Sequence, residues 1–377
     1  MGASELQYRI AIELIPKVGS ITAKRLIAYC GSAEAVFHQS KKALLKIPGI
    51  GEIIATEVAT QKVLHLAEKE IEFIDRYKIK ALYFTDPEYP ERLRQCEDGP
   101  VMLYVKTHTN INFNTDKIIS IVGTRKATAY GKQICEDIVN GLVAKGHTPI
   151  IVSGLAYGID IVAHKSALKN NLPTIAVLGH GLDTIYPIAH RGVAKDIVEQ
   201  GALVTDFISG TPFEPNNFLR RNRIIAGLSD ATIVVESAVE GGALVTADIA
   251  NSYNRDVLAV PGNITSSFSR GCNMLIKQNK AALVESAEDV EFVMGWKSFG
   301  RTETIKQFTI NFDGLNDDEI KILNFLKAKG EETVDLIALG TGLPVSKVLS
   351  SLLNLEFSGA VNSKPGKVFA IKNYCND

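Results

Sequence analysis

From residue 118 to residue 284 the chain alternates short apolar runs with longer amphipathic stretches. The runs 118–122, 149–152, 174–178, 202–205, 232–235, 257–260 and 282–284 are near-continuous in valine, isoleucine, leucine and alanine. Strands covered on both faces need such runs, whereas strands with one wet face alternate apolar and polar positions. Stretches of helical length and period separate the runs, which implies right-handed crossovers and a parallel sheet. Small, hydroxyl and charged residues collect where the runs end: Gly123-Thr124-Arg125, Ser153-Gly154-Leu155-Ala156-Tyr157-Gly158, Gly179-His180-Gly181, Asp206, Glu236-Ser237 and Pro261-Gly262-Asn263. Open α/β sheets bind ligands beyond the carboxyl ends of their strands. The pattern therefore predicts an α/β, doubly wound, mostly parallel core over 116–294 with a loaded carboxyl edge.

The flanks have a different texture. Residues 1–65 read as a helical domain with two similar pieces, Ile15-Pro16-Lys17-Val18-Gly19-Ser20 and Ile47-Pro48-Gly49-Ile50-Gly51-Glu52, each leading into an amphipathic helix. The second matches a helix-hairpin-helix turn, whose bare amides can meet a DNA phosphate. The first carries Lys17 at a glycine position. Few basic residues surround the second hairpin, which favours packing or protein contact. Residues 66–115 read as a connecting segment, with a helix at 66–77 and strands at 80–84 and 101–105 that add to the sheet edge or bridge it to the helices. Residues 295–312 read as a linker. Residues 313–377 read as a winged helix: helices at 317–329, 333–339 and 344–357, then a hairpin of 360–362 and 367–371. Its third helix has Lys347 as its one basic residue, a poor complement of groups for reading a major groove.

Composition sets outer bounds. At 377 residues, 46% hydrophobic and 22% charged, the chain has material for two or three globular domains. A net charge of −1 supplies no global attraction to polyanions, so any such binding rests on a local patch. Cys30, Cys96, Cys135, Cys272 and Cys375 are scattered and lack metal-ligand spacing, which suggests a reducing cytoplasm. No run of roughly 18 apolar residues occurs, so no membrane partner is expected.

The usual chemistries of parallel sheets find little support. Gly131-Lys132-Gln133 lacks the remainder of a P-loop, and Gly123-Thr124-Arg125-Lys126-Ala127-Thr128 lacks the glycines of a dinucleotide fold. A G-x-S-x-G elbow is absent. His164 lies one helical turn after Asp160, a spacing that suits an internal hydrogen bond, and neither His180 nor His190 has a partner at catalytic spacing. No catalytic residue, metal ligand or cofactor is assigned.

What remains is anion binding. Arg125 and Thr124 stand at the first strand exit. Phe218 precedes Arg220-Arg221-Asn222-Arg223 on a predicted helix, where Arg220 and Arg223 share a face. Gly241-Gly242 opens another helix whose amide end can receive a phosphate. Guanidinium forks, a ring and bare amides suit successive phosphates with a base stacked on the ring. Each piece also has a structural explanation: a salt bridge to Asp160, Asp183, Asp206 or Glu236, a core phenylalanine, or tight helix packing at glycine. Their shared location at one sheet edge favours the functional reading of the group.

In this order the motifs resemble the DNA-processing protein A (DprA/Smf) family. The matching pieces are Ile121-Val122-Gly123-Thr124-Arg125, Ser153-Gly154-Leu155-Ala156 with Gly158-Ile159-Asp160 and Ala163-His164, and Phe218-Leu219 with Arg221-Asn222-Arg223-Ile224-Ile225-Ala226-Gly227-Leu228-Ser229. Val234-Val235-Glu236-Ser237, Gly242-Ala243-Leu244 with Thr246-Ala247, Val260-Pro261-Gly262-Asn263 and Gly271-Cys272-Asn273 complete the series. The resemblance implies a Rossmann-like core between a helix-hairpin-helix (SAM-like) domain and a winged helix. It implies a non-enzymatic protein that binds and protects single-stranded DNA, loads the RecA recombinase in natural transformation (competence) and recombination, and forms a homodimer through the core. Its DNA site would comprise Gly123, Thr124, Arg125, Ser153, Gly154, Phe218, Arg220, Arg221, Asn222, Arg223, Gly241, Gly242 and Thr246. The sequence departs from the family at Gly241-Gly242-Ala243, where Ser-Gly-Ser is common. The alternative is a nucleotide-processing hydrolase of the lysine-decarboxylase-like phosphoribohydrolase type. Glu240-Gly241-Gly242-Ala243 lacks the proline and third glycine which that chemistry uses.

Overall fold

A computed structural model describes residues 4–60, 62–296, 315–358, 360–364 and 368–371. Two compact units divide at residues 301 and 302. The first is built on nine strands: β1 (Lys80–Tyr83), β2 (Met102–Lys106), β3 (Ile118–Val122), β4 (Ile150–Ser153), β5 (Thr174–Val177), β6 (Ala202–Thr205), β7 (Ala231–Val234), β8 (Asp256–Ala259) and β9 (Ala282–Leu283). They lie in the order β1-β2-β6-β5-β4-β3-β7-β8-β9. All pairings from β6 to β9 are parallel, while β1–β2 and β2–β6 are antiparallel.

The apolar runs become strands because both sheet faces are covered. Within β3, Ile118 and Val122 enter one core, with Ile224, Ile225, Leu228, Leu244 and Ala247 of helices Pro215–Leu228 and Gly242–Ser252. Ile119 and Ile121 enter the opposite core, with Ile138, Leu142, Ile159 and Ala163 of helices Ala129–Ala144 and Ile159–Lys169. Every residue of β3 through β7 is buried, which explains the absence of alternation. From β3 the chain winds outward through β4, β5 and β6, then returns to β7 on the other side of β3. The carboxyl ends of β3 and β7 thus form the topological switch point.

The segment 66–115 touches both the sheet and the amino-terminal helices. β1 and β2 extend the sheet edge, and Val101, Met102 and Tyr104 share a core with Ile12, Leu26, Phe37 and Leu44 of the amino-terminal helices. Glu13 fastens the join, accepting from the Val101 and Met102 amides at 3.1 Å each. The helix expected at 66–77 begins earlier, spanning Leu64–Tyr77. Both hairpin turns need left-handed backbone: Gly49 has φ +81° and Lys17, at the equivalent place, has φ +67°. The lysine thus adopts a conformation that glycine takes without steric penalty.

Gly295 and Trp296, expected to start the linker, instead close the first unit. The Trp296 ring lies 5.3 Å from His147 and under the Lys117 ammonium at 5.0 Å. The rest of the expected linker, 297–312, is outside the described residues. The second unit is a winged helix with helices Asp317–Lys329, Val334–Thr341 and Val345–Phe357. Its sheet adds a strand that sequence periodicity does not show, Glu331–Thr333, beside Val361–Lys364 and Val368–Ile371. Lys347 pairs with Asp318 at 3.0 Å, so the third helix's one cation is already engaged. No single described helix is long and apolar enough to cross a membrane, and Cys30, Cys96, Cys135 and Cys272 are free thiols.

Candidate nucleic-acid interface

At the switch point a cleft of about 370 Å³ opens between the exits of β3 and β7 and helix Pro215–Leu228. Gly123, Thr124 and Arg125 form one wall, Gly241, Gly242 and Thr246 the other, Arg221 and Asn222 the floor, and Phe218 the lip. The helix period selects these residues: Phe218, Arg221, Asn222 and Ile225 recur at the spacing of a single face.

Arg125 is the exposed cation of this group. It forms no ion pair among the described residues, and its guanidinium lies 5.9 Å from the Phe218 ring centroid. Its loop is held firmly. The Thr124 amide donates to the Glu236 carbonyl at 2.7 Å, and the Thr124 carbonyl accepts the Ile159 amide at 3.2 Å. The Thr124 hydroxyl accepts the Lys126 amide at 3.2 Å. Gly158, at φ +80°, packs against this loop, where a Cβ would lie 2.7 Å from the Arg125 carbonyl carbon. Only glycine satisfies both the backbone angle and the approach.

Arg221 is buried and ties helix Pro215–Leu228 to the strand ends. It donates to the Gly154 carbonyl at 2.7 Å, to the Val177 carbonyl, and through Nε to the Asn222 side-chain oxygen at 3.2 Å. Burial draws its pKa down to about 10, with Asp160 opposing the fall and Arg125 adding to it. The Arg125 contribution means that two guanidinium fields overlap at the cleft. Asp160 is buried behind them, its pKa raised by burial while Arg221 opposes the rise. On the facing wall, helix Gly242–Ser252 starts from Gly241 with no side-chain cap. Its amide end faces the cleft, as a phosphate site requires.

The other expected site residues have different neighbours. Ser153 is fully buried and donates to the Ile121 carbonyl at 2.6 Å, so its hydroxyl serves the sheet. Gly154 lines a smaller adjoining cavity beside Tyr157 and Tyr186. Arg220 and Arg223 lie on the back of the helix. The Arg220 guanidinium covers the Phe207 ring at 5.2 Å, whereas Arg223 pairs with Asp206 and donates to the Asp98 carbonyl. Arg223 is thus corrected from cleft residue to internal ion pair. The expected Asp160–His164 bond is also replaced, because His164 Nδ1 bonds the Thr174 hydroxyl at 2.7 Å.

The sequence pattern gives no site role to Tyr157, Tyr186 or Phe213. Tyr157 and Tyr186 line the cavity that adjoins Arg125 and Phe218. Each lies on an irregular loop, where no periodicity marks a surface role.

Fold and cleft together define a Rossmann-like protein with helix-hairpin-helix and winged-helix additions and a cleft lined by guanidinium groups at its switch point. Comparison with known proteins resolves that class further. The chain belongs to the DNA recombination-mediator protein A family, whose profile matches residues 80–294. A helix-hairpin-helix motif matches 12–61 and the DprA winged helix domain matches 313–367. Protein Smf of Synechocystis is 31% identical over 97% of this chain and 98% of its own. Protein Smf of Escherichia coli is 36% identical over 76% of each. The X-ray structure of DNA processing protein A from Streptococcus pneumoniae superposes with TM-score 0.66 at 30% identity, covering 75% of this chain and 96% of that one. A structure of the Helicobacter pylori protein, described for its single-stranded DNA binding mode, superposes with TM-score 0.51 at 27% identity, covering 58% and 96%.

Proposed function

We propose that this protein binds unpaired DNA along the carboxyl rim of its parallel sheet, with phosphates at Arg125 and the Gly242 amide end and a base against Phe218. The observation that carries the reading is Arg125, an exposed guanidinium without an ionic partner among the described residues, beside a ring at the point where strand order reverses. A ring favours a single strand because a duplex hides its base faces in its own stack. Binding to the backbone and to base faces is sequence-tolerant and salt-sensitive. The binding described for the Helicobacter pylori relative is carried to this chain on the same footing.

The role is non-catalytic: the protein shields the strand and passes it to RecA in recombination and natural transformation. It acts in the cytoplasm as a homodimer joined through the core unit. Family membership supports these finer points, and light scattering with RecA-filament assembly on coated strands tests them.

Fluorescence anisotropy with labelled oligo-dT tests the binding itself. The expected result is single-strand affinity that duplex competitor does not displace. Arg125→Ala should weaken it about tenfold or more, as loss of a charged hydrogen bond does. Equal affinity in the variant would remove the site. Release of base from nucleoside monophosphates would favour the hydrolase reading.

A further inference from the structure

Beyond Phe218 the aromatic surface continues. The Tyr186 ring centroid lies 5.8 Å from that of Phe218, and Phe213 lies 5.4 Å beyond Tyr186. The buried His180 ring backs Phe213 at 5.1 Å. Tyr186 follows β5 and Phe213 follows β6, so two neighbouring strands deliver their exit loops to one place. Tyr186 is 48% exposed and Phe213 50%. Rings that merely fill a core do not leave half their surface in water. Tyr186 also shares a small cavity with Arg125, Arg221 and Phe218, which joins this surface to the cleft.

We propose that Tyr186 and Phe213 form a second base-stacking step, over which a strand leaving the Arg125 cleft runs across the ends of β5 and β6. The proposal rests on reading the cleft as a single-strand site, and it commits to nucleobases as the occupant because the surface continues from that cleft. The geometry specifies the mode. Adjacent planes are tilted by 51° and 49°, so the rings form steps and offer no continuous stack. Centroid spacings of 5.4 and 5.8 Å exceed the ~3.4 Å rise of a stacked strand, so the bases must splay, one to a ring.

The platform is held in place before any ligand arrives. In the loop that carries Phe213, the Ser209 amide donates to Glu70 at 2.8 Å, and the Ser209 hydroxyl donates to the same carboxylate. Glu70 is buried and belongs to helix Leu64–Tyr77, so the amino-terminal helices brace the loop from behind. At the start of this loop the Phe207 amide donates to the Thr205 hydroxyl at 3.1 Å, and Arg220 covers the Phe207 ring. A surface ordered in advance loses little conformational freedom on binding.

The test uses the full chain and oligo-dT of two lengths, about four and about twelve nucleotides, spanning the site sizes of single-strand binders. Tyr186→Leu and Phe213→Leu keep apolar bulk and remove the ring. Each should lose about 5- to 150-fold in affinity for the longer strand, the effect of one lost base–aromatic stack, and bind the shorter strand within about twofold of the parent. In the unmodified protein, 2-aminopurine walked along the longer strand should be quenched at two or more positions. Wild-type affinity at both lengths in both variants, or quenching at one position alone, would overturn the second step. Arg125→Ala separates the two claims. If it weakens both lengths while the leucine variants do not differ from wild type, only the second step fails. If it changes neither length, the cleft reading fails and this proposal goes with it.

Discussion

Replacing Arg223 with methionine should unfold the protein more readily without altering how the folded molecule binds DNA. The Arg223 side chain is 12% exposed and that of Asp206 4%. The second Asp206 oxygen, Oδ1, is buried without a hydrogen-bond partner among the described residues, so the carboxylate depends on Arg223 for compensation. Burial alone would lower the guanidinium pKa, yet the carboxylates of Asp206, Glu13 and Asp98 outweigh it and the net shift is upward. Arg223→Met would leave the Asp206 carboxyl buried beside Glu13 without its cation, a loss of about 3–5 kcal/mol for one member of a buried pair. In a unit of this size that is a fall in Tm on the order of 10 °C. Arg223→Met/Asp206→Asn should recover most of the loss, because no charge is then stranded. Thermal and urea unfolding measure the stability, and anisotropy below the transition measures the binding. Unchanged unfolding together with a tenfold loss of single-strand affinity would refute the reasoning and return Arg223 to the DNA site.

Two further outcomes follow from the same packing. Gly158→Ala should cost more than about 2 kcal/mol by urea unfolding, because φ +80° and the Thr124–Arg125 backbone both exclude a Cβ. Single-strand affinity should fall with it as the Arg125 loop shifts; a fully stable, fully binding variant would contradict this. Glu13 has its pKa raised above the ordinary 4.5, chiefly by burial and against the Val101 amide. The native state therefore holds that proton more tightly than the unfolded chain does. Its contribution is complete below the unfolded value and is lost as pH rises through the raised one. Glu13→Gln cannot ionise, so its stability relative to the parent should improve as pH rises above the ordinary carboxylate range. Parallel pH profiles would count against a buried, strained carboxylate.

Sequence pattern revealed the core because burial on two faces leaves a one-dimensional trace. Ile118–Val122 and its counterparts are apolar throughout, and the residues after them could be placed at the carboxyl edge without coordinates. Arg125 was legible for that reason. The arginine cluster was only partly so. Arg220, Arg221 and Arg223 are equivalent in composition, yet the helix sends Arg221 to the cleft floor and Arg223 to Asp206 on its back. Helical period separates the two faces, but which face meets the cleft depends on Asp206 and Gly154, brought near only by the folded sheet. The same limit hid the Thr174 partner of His164, on a neighbouring strand, behind the nearer Asp160. Tyr186 and Phe213 left no trace, since aromatic residues in irregular loops carry no period. Lys17 shows the converse: its hairpin looked defective in sequence, yet the turn forms with the lysine left-handed.

The Arg125 guanidinium, without an ionic partner among the described residues, is proposed to take a phosphate of an unpaired strand. The most direct measurement is the salt dependence of oligo-dT affinity for the parent and Arg125→Ala. Each phosphate contact on a single strand contributes about −0.7 to the slope of log K against log salt. The variant should show a slope shallower by ~0.7, weaker binding at low salt and an unchanged melting temperature. Parallel slopes with equal affinities would show that Arg125 meets no phosphate, and the assignment of this cleft would be wrong.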